Sequence, residues 1–201
     1  MLKIGITGGI GTGKTTICKI FEVLNVPVFY ADSAAKYVMT TDPILVQGIV
    51  NAFGKAAYSD EGKLDKKYLA NIVFNDETQL ERLNSLVHPA VFRAFDLWVE
   101  KLYHVPYVLK EAALLFESNS YKSCDYTILV TSPKELRIKR VMERDNVSHD
   151  QVLARMNKQL SDEEKARLAD FILLNDETKL LIPQVLDLHN KFIEMANNLN
   201  D

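Results

Sequence analysis

Apolar residues fall along this chain in two rhythms. Short apolar runs with little alternation recur at 3–7, 26–30, 106–111, 125–130 and 169–174. Runs of about four to eight such residues are what strands covered on both faces carry. Between them the spacing becomes helical. Ile17, Ile20, Phe21 and Leu24 mark a helix over 15–24. Leu181, Val185, Leu188, Phe192 and Met195 put one apolar stripe on a closing helix over 178–199, whose start Pro183 blurs. Strands alternating with helices predict an α/β chain with three α/β/α layers around a five-stranded parallel sheet.

Two stretches break the alternation. From 42 to 105 no buried strand is expected, and helices are predicted over 43–53, 66–74 and 77–103. The last should be interrupted at His88-Pro89, because a residue before proline is biased away from helical ψ. Pro89 would then open a new helix through Phe92, Phe95, Trp98, Val99 and Leu102. The second stretch follows the fourth strand. Ser132 at the N-cap, Pro133 at N1 and Glu135 at N3 announce a helix carrying Arg137, Lys139, Arg140 and Arg144. Helices over 148–160 and 162–168 follow. The expected layout is a core of 1–30, 106–135 and 168–201, a helical insertion over 31–105 and a helical lid over 136–167. No internal repeat or low-complexity linker is present.

The chemistry starts between the first strand and the first helix. Gly8-Gly9-Ile10-Gly11-Thr12-Gly13-Lys14-Thr15 fits G-x-x-x-x-G-K-[ST], the phosphate-cradling P-loop. Glycines are expected where a Cβ on the concave side would block phosphate oxygens from backbone N–H groups. The cradle is assigned to Gly9, Ile10, Gly11, Thr12, Gly13, Lys14, Thr15 and Thr16. Lys14 should reach the β- and γ-phosphates, and the Thr15 hydroxyl should ligate Mg²⁺. These features call for a nucleoside triphosphate and Mg²⁺. Glu111, ending a strand, is either a partner to a Mg²⁺-bound water or an ordinary strand-end charge.

Composition narrows the setting. Apolar residues make up 47% and charged residues 25%, the ordinary balance of a globular chain. A net charge of −3 argues against nucleic acid as a partner. Cys18 and Cys124 each sit in an apolar pattern and read as reduced core residues. No apolar run approaches membrane-spanning length, and strand one begins too early to leave room for a signal peptide. The expectation is a cytoplasmic monomer capable of weak self-association at most. Residues 134–167 hold nine of the 24 basic residues and seven acids. Most of these are expected on a solvated face, and some as lid arginines that stabilise a transferring phosphate.

A regulatory GTPase would carry Asp-x-x-Gly and Asn-Lys-x-Asp, and neither occurs. A nucleoside monophosphate kinase needs an arginine-lined phosphate pocket in the insertion, which offers only Arg82 and Arg93. A non-catalytic nucleotide-binding module explains neither insertion nor lid. A hydroxyl acceptor gains from a carboxylate that takes its proton. Asp32, just past the second strand, suits that role, and equally suits a helix N-cap. His88 and Arg93, flanking a helix start, would both approach one anion.

Several segments together resemble the dephospho-coenzyme A kinase family: I-G-I-T-G-G-I-G-T-G-K-T, Y-A-D-S-A-A-K (30–36), H-P-A-V-F-R (88–93), A-L-L-F-E (113–117), R-V-M-E-R-D (140–145) and A-D-F-I-L-L-N-D (169–176). They occur in that family's order over essentially the whole chain. The resemblance implies a P-loop kinase that transfers the γ-phosphate of ATP to the ribose 3′-hydroxyl of dephospho-coenzyme A, the last step of coenzyme A synthesis. It implies Asp32 as base, Lys14 and Arg140 as phosphate-stabilising groups, and Asn175 near the adenine. It places Asp32, Lys36, His88, Arg93, Leu115 and Glu117 toward the acceptor. Three positions depart from the family pattern. Tyr30 stands for the first Asp of Asp-Ala-Asp, Lys36 for an Arg, and Glu111-Ala112-Ala113 for Asp-x-Pro.

Overall fold

The structure is a computed structural model that describes residues 1–74 and 76–199. Residues 200 and 201, the end of the expected core, lie outside the described residues. The elements are β1 (Leu2–Thr7), α1 (Lys14–Val23), β2 (Val28–Tyr30), α2 (Ala31–Thr41), α3 (Pro43–Phe53), α4 (Lys66–Val73), α5 (Glu77–Val99), β3 (Tyr107–Glu111), β4 (Tyr126–Thr131), α6 (Lys134–Asp145), α7 (His149–Met156), α8 (Asp162–Leu168), β5 (Phe171–Leu174) and α9 (Leu181–Asn197). They form two compact units, 1–30 with 104–201, and 31–103. Residues 136–167 belong to the first unit.

The first unit is a five-stranded sheet in the order β2-β3-β1-β4-β5, with every pairing parallel. The register sets Ile4 against Leu109 and Ile6 against Ile128. Side chains alternate across a strand, so Leu2, Ile4, Ile6, Tyr107, Leu109, Ile128, Val130 and Leu173 share one face. That face forms a buried cluster with Ile17, Cys18 and Phe21 of α1 and with Val185, Phe192 and Ala196 of α9. The opposite face carries Gly5, Thr7, Lys110 and Thr127. Segment 113–124 packs there: a Cβ on Gly5 would lie 2.7 Å from Leu115 Cδ2 and 3.1 Å from Cys124 Sγ. The α9 helix begins at Leu181, which puts Pro183 in the first turn, where its missing N–H leaves no helical bond broken.

The predicted start of α6 is corrected by the structure. Pro133 occupies the N-cap position with no side-chain cap. Ser132 is buried, and its hydroxyl accepts a bond from Arg140 Nη1 at 3.2 Å, so it is unavailable as a cap.

The second unit is built of helices, with an isolated antiparallel bridge between Tyr58 and Leu64 in the segment linking α3 to α4. Asp42, Asp65 and Asp76 cap α3, α4 and α5, each accepting from a backbone N–H three residues on. The predicted break at His88-Pro89 does not occur: α5 runs unbroken with Pro89 inside it. Val87, Ala90, Val91 and Phe95 are buried along one side of α5, which packs against α2, α3 and α4. A helix-interior proline costs about 3 kcal/mol. Burying large apolar side chains contributes about 1.5–3 kcal/mol each, so the stripe outweighs the lost bond.

Candidate active site

The loop from Gly8 to Gly13 leaves β1 and enters α1. Lys14 Nζ folds back to donate to Gly8 O at 2.7 Å and Gly9 O at 3.4 Å. Thr12 Oγ1 donates to Gly9 O at 2.9 Å, and the Thr12 N–H reaches the same oxygen at 3.3 Å. Gly11 and Gly13 have φ of 80° and 89°, the left-handed region that favours glycine.

The glycines are also demanded from the protein side, because Cβ atoms added to the loop would strike neighbouring protein atoms. At Gly9 the clash is with Arg137 Nη2 at 2.2 Å, at Gly11 with Arg137 O at 2.6 Å, and at Gly13 with Asn175 Nδ2 at 2.3 Å. The outer surface of the loop is pressed against α6 and the end of β5, and only glycine permits that approach.

An open pocket of about 350 Å³ is lined by Gly11, Gly13, Lys14, Thr15, Thr16, Arg140, Val141 and Arg144. Arg140 is held from several sides. It donates to Ser132 Oγ, to Asn175 O at 3.3 Å and to Glu177 Oε1 at 3.0 Å. Asn175 is itself buried; its Nδ2 donates to Thr12 O at 2.8 Å and its N–H to Thr131 O. The residue predicted near the adenine is thus engaged with the loop and with Arg140. Arg144, one turn beyond Arg140 on α6, lines the same pocket although the family resemblance singles out Arg140 alone. Arg144 pairs with Asp145 through Nε and Nη2, and Arg155 joins the same carboxylate at 2.8 Å. Arg144, then Arg155, hold the Asp145 carboxyl down at about 2.

Glu111 ends β3 and is buried. Its charge is felt at Cys18, whose thiol is pushed up to about 12, first by burial and then by Glu111. Tyr30 donates its phenol to Glu22 Oε1 at 3.0 Å. Burial and that bond raise its pKa. Tyr30 is therefore tied to α1. Among the described residues no three His, Cys, Asp or Glu side chains form a metal cluster. The Thr15 hydroxyl and Glu111 carboxylate are hard oxygen donors, the set suited to Mg²⁺, which takes few protein ligands beside phosphate oxygens and water.

Two residues expected at the acceptor are used internally. Leu115 is fully buried against Gly5. Glu117 accepts from the Leu160 N–H at 3.0 Å, and its Oε1 lies 3.1 Å from the fully buried Lys165 Nζ. That contact is an ion pair without hydrogen-bond alignment, and Glu117 Oε2 is buried with no hydrogen-bond partner. The sequence pattern A-L-L-F-E did not separate packing from acceptor contact.

In the helical unit, Asp32 is the second residue of α2 and is exposed, with Lys36 one turn on along the same side. Arg93 pairs with Asp42 at 2.6 Å. Burial of Asp42 opposes ionisation, but bonds from Leu45 N–H and Arg93 win and hold its pKa down. Because α5 is continuous, His88 and Arg93 are five residues apart on one helix, about 140° around its axis. They do not converge on one anion from a helix start, as the predicted break implied.

A sequence model of the dephospho-CoA kinase family matches residues 2–180. The dephospho-CoA kinase of Salinibacter ruber is 46% identical over 180 residues, covering 89% of this chain and 90% of that one. The enzyme of the same name from Bacteroides fragilis strain YCH46 is 39% identical over 187 residues, covering 93% and 91%. The solved dephospho-CoA kinase of Campylobacter jejuni superposes with a TM-score of 0.68 at 26% identity, covering 96% of this chain and 97% of that one. The parallel sheet, the P-loop pocket and a match across nearly the whole length agree: this chain belongs to the dephospho-CoA kinase family of P-loop kinases, whose role is the final step of coenzyme A biosynthesis.

Proposed function

We propose that this chain transfers the γ-phosphate of ATP to the ribose 3′-hydroxyl of dephospho-coenzyme A, and that the residues divide the work as follows. Backbone N–H groups from Gly11 to Thr16 and the Lys14 ammonium hold the β- and γ-phosphates. Lys14 already lies across the loop mouth on Gly8 and Gly9, so it exchanges carbonyl partners for phosphate oxygens. Thr15 and Glu111 would hold Mg²⁺, Thr15 directly and Glu111 through water. When bound, that ion neutralises charge on the phosphates. Arg140 and Arg144 supply positive charge where it develops on the transferring group.

Asp32 orients the 3′-hydroxyl and takes its proton, with Lys36 beside it. The proton leaves the hydroxyl oxygen as that oxygen bonds to the γ-phosphorus, and ADP departs. His88 and Arg93 serve the acceptor from separate sides of α5. Asn175 supports the loop and Arg140 beside the adenine. We place the reaction in the cytoplasm and read the enzyme as a monomer; no described helix is long and apolar enough to cross a membrane.

The observation that carries this reading is the convergence of Lys14, Thr15, Arg140 and Arg144 on one pocket. The test is ADP release from Mg-ATP with dephospho-coenzyme A, AMP, CMP or dTMP as acceptor. Turnover confined to dephospho-coenzyme A is expected; turnover with a monophosphate instead would sink the assignment. Lys14→Ala should abolish it. Asp32→Asn should lower kcat by roughly 10²–10⁴-fold with ATP binding little changed, and wild-type turnover in that variant would leave Asp32 no role as base.

A further inference from the structure

Ile10 lies in the phosphate loop, half-buried, and is held by its side chain and by both of its backbone groups. Its side chain packs on the apolar cluster of Ile138, Val141 and Val152 from α6 and α7. Its N–H donates to Gln159 Oε1 at 2.9 Å, and its carbonyl accepts from Arg137 Nε at 3.0 Å. Neither side chain is loose. Gln159 Nε2 reaches Ala113 O at 3.4 Å, in the segment that follows β3. Arg137 is buried, fills the space where a Gly9 side chain would be, and pairs through Nη1 with Asp162 of α8.

A glycine-rich loop has much conformational freedom to lose when it closes on a ligand. A loop already fixed in the phosphate-ready shape spares nucleotide binding that loss. The Ile10 N–H, spent on Gln159, is also withdrawn from the donors available to phosphate. From this we propose that Gln159 and Arg137 are positioning residues that hold the P-loop in its nucleotide-binding shape through the two backbone groups of Ile10. The proposal rests on the reading that this loop binds the phosphates of ATP.

The test uses Gln159→Met, which keeps the side chain's length and removes both of its bonds, and Arg137→Lys, which keeps the charge and removes the planar fork. Steady-state kinetics with each substrate, the Kd of Mg-ADP by titration calorimetry and the Tm of the unliganded protein are measured for both. Each variant should raise KM for ATP and Kd for Mg-ADP by about 5–20-fold. KM for dephospho-coenzyme A should stay within about 2-fold and Tm close to wild type. Unchanged nucleotide affinity would overturn the proposal. So would an equal loss for both substrates with a fall in Tm, which marks packing alone. Should Gln159→Met fail to fold, Gln159→Asn draws the amide back by one methylene and is read the same way. If Lys14→Ala also leaves ATP kinetics unaltered, the phosphate-loop reading itself has failed; if Lys14→Ala is inactive while the Gln159 and Arg137 variants bind nucleotide normally, only the positioning role has.

Discussion

On the side of the sheet covered by α1 and α9, β1, β3 and β4 present Ile4, Ile6, Tyr107, Leu109, Ile128 and Val130, all fully buried among apolar neighbours. On the other side the same strands present Gly5, Thr7, Lys110 and Thr127. Lys110 is fully buried and donates to Ser123 Oγ at 3.0 Å, and Asp170 receives both the hydroxyl and the N–H of Thr127 at 2.8 Å. Buried ionic groups continue outward from this side: Lys165 of α8 with Glu117, and Arg137 with Asp162. The first side behaves as a foundation, held by non-directional burial that tolerates many shapes. The second uses directed bonds, and one of its members, Arg137, reaches the phosphate loop itself at Ile10 O. Burying charge is an inefficient route to stability, so a buried Arg137 beside the loop supplies geometry more than stability.

The two sides should respond differently to substitution. Leu109→Ala on the apolar side should cost about 2–5 kcal/mol in urea unfolding, with KM values of the folded fraction unchanged; altered KM would blur the distinction between the sides. Glu117→Gln should cost about 2–3 kcal/mol, less than removing one partner of a fully enclosed pair, because Glu117 keeps 17% of its side-chain surface exposed. The paired change Glu117→Leu with Lys165→Met should recover most of that loss, and a double variant no more stable than the single one would show that the pair is needed for the fold itself. Gly5→Ala should cost about 1–2 kcal/mol, since the end of Leu115 must shift to admit the methyl group.

The smallest effect concerns pH. Tyr107 OH and His189 Nδ1 lie 2.7 Å apart on the apolar side. Burial lowers the His189 pKa. The folded state therefore binds this proton less readily than the unfolded chain. Its contribution is fully present above the ordinary histidine value and is lost as pH falls through the lowered one. Tm should drop by about 1–2 °C more between pH 7 and 5 in the wild type than in His189→Gln; equal drops would remove His189 from the pH response.

Much of this was legible in the chain. The five strands fall where the apolar runs put them, within about two residues at each end. The P-loop and the helical insertion were also plain. Where reading from sequence failed, a long-range contact had overruled a local signal. Ser132 looked like a helix cap and instead receives Arg140. Pro89 looked like a helix break and is carried inside α5 by the buried stripe around it. Nothing local showed that Leu115 packs on Gly5 or that Glu117 meets Leu160 and Lys165. Gln159 carried no local signal at all, because its partners are Ile10 and Ala113, far away along the chain.

The sequence by itself determined the strand–helix alternation, the glycine-rich loop and the family. Each of these is written in spacing within a few residues, or in segments that occur in the family's order. The tertiary structure decided why the loop's glycines are glycines, with Arg137 and Asn175 occupying the space of their missing side chains. It also decided which polar residues turn inward to hold the loop and that Lys110 is buried on the face opposite α1 and α9. Those outcomes depend on which distant atoms approach within bonding distance, and that is set only once the sheet has assembled and its two sides have been covered.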